Sequence, residues 1–240
     1  MRYRRARWGG VLLLLLCFGV SACESSRPET PAKAEISEQQ QLIDHAQLAV
    51  ANLRSGSSPV RDPVNSYLAR ARGVLIFPDL LRAGFIFGAS GGTGVLLERT
   101  ATGWSDPVFY YTGAGSFGLQ IGAEGGSVLF VIMNDGALRK IVNGTGVNLG
   151  GDVSIALGPY GGGTQGATTT NLGADLVAFS AQQGVFGGAA VQGGTINPRQ
   201  EWNAAYYGPA ATPPAILAGR FHNHGARRLI EALAIAKPTS

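Results

Sequence analysis

The stretch VFYYTGAGSFGLQIGAEGGSVLFVIM, residues 108–133, decides the fold class. It includes a formal dinucleotide-binding motif, because GAGSFG (113–118) fits the glycine spacing G-x-G-x-x-G. That motif holds a pyrophosphate only where a strand leads into the N-terminus of a helix. Here apolar residues alternate with glycine and polar residues over 116–123, and a period of two predicts a strand. We therefore expect no nucleotide here, and we interpret Gly113 and Gly115 as a bend or bulge between strand segments.

Short apolar runs separated by glycines extend from this stretch in both directions. Most of the chain's 36 glycines lie between Gly73 and Gly194. A single short helical segment, at 136–142, interrupts the runs, so parallel crossovers are not expected and the sheet is predicted to be mainly antiparallel, as a β-barrel or a sandwich. The predicted strands are 73–77, 83–89, 94–99, 107–113, 116–123, 127–133, 153–157, 174–180 and 185–192.

Helical periodicity flanks the glycine-rich region on both sides. Apolar residues recur at spacings of three, four and seven over 36–54, where Ser37 and Gln40 suit a capping box. A second, short helix is predicted over about 62–72, and a C-terminal helix over 225–236. The predicted fold is therefore α+β but mainly β, with a glycine-rich antiparallel sheet between N- and C-terminal helices.

The first 22 residues have the features of a secretory signal. Arginines precede the apolar run VLLLLLCFGV (11–20), which is too short to span a bilayer. The stretch Val20-Ser21-Ala22-Cys23 resembles the lipobox of bacterial lipoproteins, in which the cysteine is acylated and becomes the mature N-terminus. Several acyl chains on one cysteine give firm membrane anchoring. The predicted organisation is a signal peptide over 1–22, a lipidated tether over 23–34 and a folded domain over 35–237.

Charge and cysteine content exclude two kinds of site. The chain has 19 basic and 15 acidic residues, but four of the arginines lie in the predicted signal. Without them the two numbers are equal, so the pI of about 9.3 belongs to the signal and nucleic acid is not expected as a partner. Cys17 is lost with the signal and Cys23 carries lipid, so no disulfide or cysteine metal site is expected.

Three further motifs lack the structural context that their chemistry needs. GASGG (88–92) fits the nucleophile elbow, yet a strand is predicted after Ser90, so we interpret it as a glycine-rich hairpin turn. GGGTQG (161–166) repeats the dinucleotide pattern without a helix. His222 and His224 offer two nitrogens to a metal, but without an evident third ligand we interpret them as a polar turn. We expect no catalytic residue, no cofactor and no metal ion.

Three segments together resemble the SYLF family of lipid-binding domains. They are GVLIFPDLLRAGFIFGASGGTGVLLER (73–99), SFGLQIGAEGGSVLFVIMNDGAL (116–138) and ADLVAFSAQQGVFGGAAVQGG (174–194). The resemblance covers about 60–197, and its most specific part is SFGLQIGA, before which Gly115 takes the place of a small residue. It implies a lipid-binding domain, which bacterial members commonly carry as secreted lipoproteins.

The same resemblance implies activities of eukaryotic relatives that this sequence supports less well. Those relatives bind phosphoinositides through a basic amphipathic N-terminal helix, and some bundle actin filaments. Here the helix predicted over 36–54 has Arg54 as its one basic residue, beside Glu38 and Asp44. This departure argues against phosphoinositide binding.

Arginines and leucines near the start of the domain are the candidate lipid-binding residues. Five arginines stand against two aspartates over 54–82, and a guanidinium grips a phosphate through two hydrogen bonds. We interpret FPDLLR (77–82) as a turn that places two leucines beside an arginine. The alternatives are a solvated arginine surface and leucines that plug the core. The candidate residues are Arg54, Arg61, Arg70, Arg72, Leu80, Leu81 and Arg82.

Glycines at alternate strand positions predict a sheet face with little side-chain bulk. They are Gly84, Gly88, Gly118, Gly122, Gly187 and Gly193. A helix of this chain that packs closely on the face is the preferred interpretation. The other is a pocket for an acyl chain.

The sequence therefore favours a membrane-anchored lipoprotein whose domain binds phospholipid headgroups or acyl chains without catalysis. The alternative is a structural module of the cell envelope that contacts a protein partner or peptidoglycan, and a hydrolase that uses Ser90 or Ser116 is the third hypothesis. In a Gram-negative source, Glu24 after the acylated cysteine favours the outer membrane, by analogy with lipoprotein sorting. The predicted location is the cell envelope, facing the periplasm or the surface.

Overall fold

The computed structural model describes residues 37–84, 87–117, 122–158, 173–180 and 193–234, with the side chains of 82–88 and 116–124 left out. The chain divides into two units, Met1–Glu35 and Ile36–Ser240, and every described residue belongs to the second. The predicted signal peptide, the tether and Cys23 lie outside the described residues. The strand predicted at 185–192 and the motif at 161–166 lie outside them too.

Helices stand at both ends of the described chain and between its strands. They are α1 (Glu38–Leu53), α2 (Arg61–Arg70), α3 (Asp135–Asn143), α4 (Gln200–Tyr207), α5 (Pro213–Leu217) and α6 (Arg227–Leu233). A 3₁₀ turn, His224–Ala226, leads into α6. Ser37 accepts a hydrogen bond from the Gln40 backbone N–H at 3.2 Å, so the predicted cap of α1 is confirmed.

The described strands form one sheet. They are β1 (Gly73–Gly84), β2 (Phe87–Thr100), β3 (Gly103–Trp104), β4 (Val108–Phe117), β5 (Gly122–Ile132), β6 (Val147–Asn148), β7 (Ile155–Leu157), β8 (Leu176–Ser180) and β9 (Thr195–Pro198). Their order is β6-β9-β4-β2-β1-β5-β8-β7, and β3 pairs with β2 alone. All of these pairs are antiparallel except β7 with β8. The predicted α+β fold, with a mainly antiparallel sheet between N- and C-terminal helices, is confirmed.

The sheet is curled because its two end strands are consecutive in the chain. Only Leu149–Ser154 separates β6 from β7, and a bridge joins Leu149 to Val153. The seven peptide steps from β6 to β7 reach at most about 25 Å, whereas eight strands laid flat are about 34 Å wide. The end strands therefore come together only if the sheet bends round.

Helices cover both faces of the sheet at one end, which we call the base. Along β1, Leu75 and Phe77 point to a core that includes residues of α3 and α5. Val74 and Ile76 point the other way, to a core that includes α1, α2 and α6. The two surfaces are named here the α3 face and the α1 face. The continuous apolar run GVLIF follows from this arrangement, since a strand buried on both faces has no polar side.

A β-bulge at Pro78 and Asp79 marks the end of the base. Residues before it pair in one register with β2 and β5, and residues after it pair one position later. Proline has no N–H for a ladder bond, so inside a central strand it is confined to such bulges. The interpretation of FPDLLR as a turn is therefore wrong, because β1 continues through the bulge to Gly84.

The glycine-rich segments also form longer strands than predicted. GASGG (88–92) lies within β2 and is not a hairpin turn. Gly113 and Gly115 pair with Gly91 and Ala89 in an unbroken register, so the bend or bulge predicted there is wrong. The strand predicted over 116–123 is divided between β4 and β5. The backbone N–H and C=O groups of these glycines are paired with the neighbouring strands. The glycines therefore lie inside strands and not in the turns between them.

The helices predicted over 36–54, about 62–72 and 136–142 match α1, α2 and α3, and the C-terminal prediction matches the 3₁₀ turn and α6. Two helices were not predicted. α4 is eight residues long and packs through Trp202 and Tyr206, which are only partly buried, so its apolar pattern in the sequence is short. α5 is five residues long and begins with two prolines. Neither pattern distinguishes a helix from a loop.

Candidate functional site

The sheet extends beyond the bulge into a part that we call the tip: Leu81–Gly84, Phe87–Thr93, Tyr111–Phe117 and Gly122–Gly126. On its α1 face, one row of paired residues runs Gly125, Leu81, Gly91, Gly113 across β5, β1, β2 and β4. Three of these four neighbouring strands place a glycine in the row, so Leu81 is the one residue in it with a side chain.

This surface, the open glycine face, consists of Leu81, Ala89, Gly91, Tyr111, Gly113, Gly115 and Gly125. Leu81 is 65% exposed and Tyr111 45% exposed. Among the described residues, a Cβ added at Gly113 or Gly115 would have no atom within 4 Å. The side chain of Leu81 lies over the neighbouring strand, since a Cβ at Gly125 would be 3.2 Å from its Cδ2 atom. The face is therefore poor in side chains and open at Gly113 and Gly115, with Leu81 and Tyr111 as its two large exposed side chains.

Glycines on the opposite face have a different role. A Cβ at Gly94 would lie 2.6 Å from the ring of Phe77, and one at Gly92 would lie 2.9 Å from the carbonyl oxygen of Asp79. The bulged part of β1 therefore presses against β2, and glycine is required there for close packing. Gly84 pairs with Gly88 on one side and with Gly122 on the other, so three of the predicted glycines lie in one row at the end of the tip.

Arg54, the first of the candidate headgroup residues, binds inside the protein. Its Nε donates to Asn65 Oδ1 at 2.8 Å, and its guanidinium also donates to the carbonyl oxygens of Ala232 and Ala234. It thereby joins the ends of α1 and α6 to α2, and burial lowers its pKa. The structure gives Arg54 a role in helix packing that occupies the groups a phosphate would need.

The other candidate arginines do not converge on one site. Arg61 pairs with Asp62 at 2.8 Å, and Arg70 stacks over the Tyr67 ring at 5.0 Å. These two arginines are nine positions apart on α2, which places them on opposite sides of the helix. Arg72 pairs with Asp135 at 3.4 Å. Arg82 is in the tip strand β1, and its side chain lies outside the described residues.

The two candidate leucines separate at the bulge. Leu80 is fully buried in the α3-face core, whereas its neighbour Leu81 is on the open glycine face. Consecutive residues of a strand point to opposite faces, so a single turn does not present both. Of the predicted pair, only Leu81 is available to a ligand. The sequence alone did not show which leucine is buried, because Leu80 and Leu81 are identical residues with the same neighbours.

The histidines and the candidate serines are also placed by the fold. His222 Nδ1 lies 2.8 Å from Asp106 Oδ2. The other carboxylate oxygen of Asp106 accepts a hydrogen bond from the Asn223 backbone N–H at 3.1 Å. His222 thus helps to fasten the segment before α6. Ser90 is inside strand β2, without the strand-to-helix turn of a nucleophile elbow. The described residues contain no group of three or more His, Cys, Asp or Glu placed to hold a metal ion.

A polar network fastens α1 to the C-terminal elements on the α1 face. Gln40 Nε2 donates to Asp44 Oδ1 at 2.9 Å and to the Gly225 carbonyl at 3.1 Å. Tyr206 donates to Gln40 Oε1 at 2.9 Å. Burial, then the carboxylates of Asp106 and Asp44, raise the pKa of Tyr206 to about 12, so its hydroxyl remains a donor at neutral pH. The Gln40 side chain therefore serves tertiary packing instead of the reciprocal bond of a capping box.

Comparison with known proteins identifies the family. The family described as "Las17-binding protein actin regulator", Ysc84, matches residues 113–236. This chain belongs to the Ysc84 family. SYLF and Ysc84 denote the same domain, so the resemblance seen in the sequence is confirmed. Among the helices that the structure describes, none is both long and apolar enough to cross a bilayer.

Relatives of this Ysc84-family chain come from fungi and animals. Protein YSC84 of Saccharomyces cerevisiae is 35% identical over 157 residues, which cover 64% of this chain and 33% of the relative. LAS seventeen-binding protein 3 of the same species has the same identity, with 34% of its length covered. SH3 domain-containing YSC84-like protein 1 of Xenopus laevis is 28% identical over 156 residues, 65% of this chain and 46% of its own. The matched region spans a third to a half of these relatives.

Proposed function

We propose that this Ysc84-family chain is a non-enzymatic, lipid-associating module held at a membrane by acyl chains on Cys23. In this proposal the open glycine face contacts lipid. The supporting observation is an apolar surface on four adjacent strands that no described residue covers, with Leu81 65% exposed at its centre. Exposed apolar patches of this kind mark sites of protein or membrane contact.

Side-chain-poor strands suit an acyl chain for a physical reason. Where Gly91 and Gly113 replace larger residues, a methylene chain reaches the backbone and gains dispersion contacts along its length. Leu81 supplies one side chain that inserts beside it, and Tyr111 supplies an amphipathic ring of the kind found at bilayer interfaces. The contact is apolar, so it requires no phosphoinositide and no basic N-terminal helix.

The proposal also includes a lipid anchor and a location in the cell envelope, and both rest on the sequence. The signal over 1–22 and the lipobox ending at Cys23 support export and acylation, and Glu24 supports sorting to an outer membrane. A tether over 23–34 then holds the domain near the bilayer, which raises the local concentration of lipid at the open glycine face. The exposed Arg70 and Arg72 and the half-buried Arg61 are proposed as secondary headgroup contacts.

Vesicle co-sedimentation of the unit 36–240, without its anchor, tests the lipid contact. We expect it to bind vesicles of phosphatidylglycerol and phosphatidylethanolamine at low salt. Leu81→Ser should weaken binding by about tenfold or more, since it removes an apolar group worth about 1.5–3 kcal/mol from the interface. Leu157→Ser is the matched control, because Leu157 is 50% exposed on β7 and its row pairs through Ala178 with Phe130 in the base. Equal binding of both variants and the parent, or no binding to vesicles, would contradict the proposal.

A second candidate function is protein interaction, and the family description favours it. The matched family is described as Las17-binding and actin-regulating, and a relative is named for LAS seventeen binding. For this chain, the same open glycine face would then contact a protein of the envelope or the peptidoglycan. Crosslinking in cells followed by mass spectrometry separates the two functions: one dominant protein crosslinked at the tip supports this candidate, and lipid crosslinks support the first.

The absence of catalysis is part of the proposal and is tested separately. Ser90 pairs with strands on both sides of β2, and Ser116 pairs with Gly88 from within β4, so in the described part of the chain neither serine lies at a helix N-terminus that could stabilise an oxyanion. We expect Ser90→Ala and Ser116→Ala to leave any hydrolysis of ester or amide substrates at background. A turnover that depends on either serine would show that the chain is an enzyme.

A further inference from the structure

A cleft at the base of the sheet, on the α3 face, is distinct from the open glycine face. Its volume is about 300 Å³, at the lower end of the range for small-molecule pockets. One wall is a stripe of α3 at spacings of three and four residues, and the opposite wall is Glu98 near the end of β2. The lining residues are Glu98, Asp135, Leu138, Arg139, Val142 and Asn143.

Glu98 brings an unpaired carboxylate to this cleft. Among the described residues, its side chain has no hydrogen bond or ion pair, although it is half-buried. Burial, and then the negative charge of Asp135, raise the pKa of Glu98. Asp135 itself is paired with Arg72 at 3.4 Å. A positively charged group in the cleft would therefore find one free acceptor, whose ionised form it would stabilise.

Arg139 brings an unpaired cation to the same cleft. It lies four residues after Asp135 on α3, yet Asp135 pairs with Arg72, and the guanidinium has no ion pair within the described part of the chain. Asn143, one turn further, adds an amide donor, and Leu138 and Val142 supply apolar wall. Glu98 and Arg139 thus line one cleft without contacting each other.

We propose that this cleft binds a small zwitterion, with its ammonium on Glu98 and its anionic group on Arg139 and Asn143. A simple cation leaves Arg139 unpaired beside it, and a simple anion is repelled by Glu98 and Asp135, so neither matches both walls. A ligand with both charges pairs each free group. Two sources have this chemistry: a free amino acid with an apolar side chain, and the ethanolamine phosphate of a lipid headgroup.

Titration of the full chain, purified in detergent micelles, tests the cleft by NMR with L-leucine in one arm and glycerophosphoethanolamine in the other. We expect one probe to shift resonances of α3. Glu98→Gln and Arg139→Gln should each weaken its binding by about tenfold or more, as expected for a charged hydrogen bond. The arm that binds identifies the source. Binding of neither probe would overturn the proposal.

Lys140→Gln is the matched control. It removes the same charge from the next residue of α3, but Lys140 Nζ donates to the Asp152 carbonyl at 2.7 Å and does not line the cleft. Its affinity for the probe should equal that of the parent. Equal weakening in Lys140→Gln and Arg139→Gln would assign the effect to general charge and contradict a site.

A second readout follows from the carboxyl of Glu98. A bound ammonium favours its ionised form, so the bound probe should lower the pKa of Glu98, measured from its carboxyl ¹³C shift. By linkage, affinity should fall as the pH falls through that pKa, and the fall should be absent in Glu98→Gln. An unchanged pKa at saturating probe would place the ligand elsewhere. The vesicle test of the open glycine face does not depend on either outcome.

Discussion

The base and the tip of the sheet differ in packing, although β1, β2, β4 and β5 run through both. At the base, helices cover both faces and every strand residue of GVLIF is buried. At the tip, the α1 face is uncovered by described residues and consists largely of glycine. The bulge at Pro78 and Asp79 is the boundary. One set of strands therefore combines a base that is buried on both faces with a tip whose α1 face is exposed.

Truncating the two leucines beside the bulge is the strongest test of this boundary. Leu80→Ala should lower the free energy of unfolding by about 2–5 kcal/mol, because it empties a fully buried site. Leu81→Ala should change it by less than about 1 kcal/mol, because that side chain is 65% exposed. Chemical denaturation of both variants measures the difference. Similar losses would show that the tip contributes to the core.

Adding a methyl group to a glycine tests the same boundary in the opposite direction. Gly94→Ala should cost about 1–3 kcal/mol, because the new Cβ meets the Phe77 ring at 2.6 Å. Gly113→Ala should stay within about 0.5 kcal/mol of the parent, since nothing described lies within 4 Å. Thermal unfolding compares the pair. A large loss at Gly113 would mean that another part of the chain covers the open glycine face.

The sequence predicted the strands of this sheet better than it predicted the bulge that divides the base from the tip. Alternation and glycine placement located most of the strands, because each signal is local. Glycines at 88–92 and proline at 78 were assigned to turns, since the same residues favour turns and also permit tight strand contacts and bulges. Only pairing with strands distant in sequence distinguishes these outcomes, and a single sequence does not display that pairing.

The arginines show the same limit for the candidate site. Arg54 was predicted to bind headgroups, yet its partners include Ala232 and Ala234, nearly 180 residues away. Arg72 meets Asp135 through folding of the sheet onto α3. The cleft at Glu98 and Arg139 was missed for the same reason, because neither residue belongs to a recognisable motif. The exposed Leu81 was predicted, although the fold that exposes it was not.

Lowering the pH should destabilise the base and leave the tip unaffected. This is the smallest effect that we expect. Asp175 accepts bonds from Asn134 Nδ2 at 2.7 Å and from the Ser154 N–H and hydroxyl at 2.9 Å, which joins the start of α3 to β7 and β8.

Burial acts to raise the pKa of Asp175, but hydrogen bonds from Asn134 and Ser154 and the charge of Lys140 outweigh it, so the folded-state pKa is below its usual 3.8. A depressed pKa stabilises the fold above the unfolded value, and this stability is lost as the pH falls through the folded one. Asp175→Asn should therefore flatten the fall in unfolding midpoint between pH 5 and about 3. An unchanged slope would show that these hydrogen bonds do not stabilise the ionised carboxylate, whereas Leu81→Ala should retain the slope of the parent.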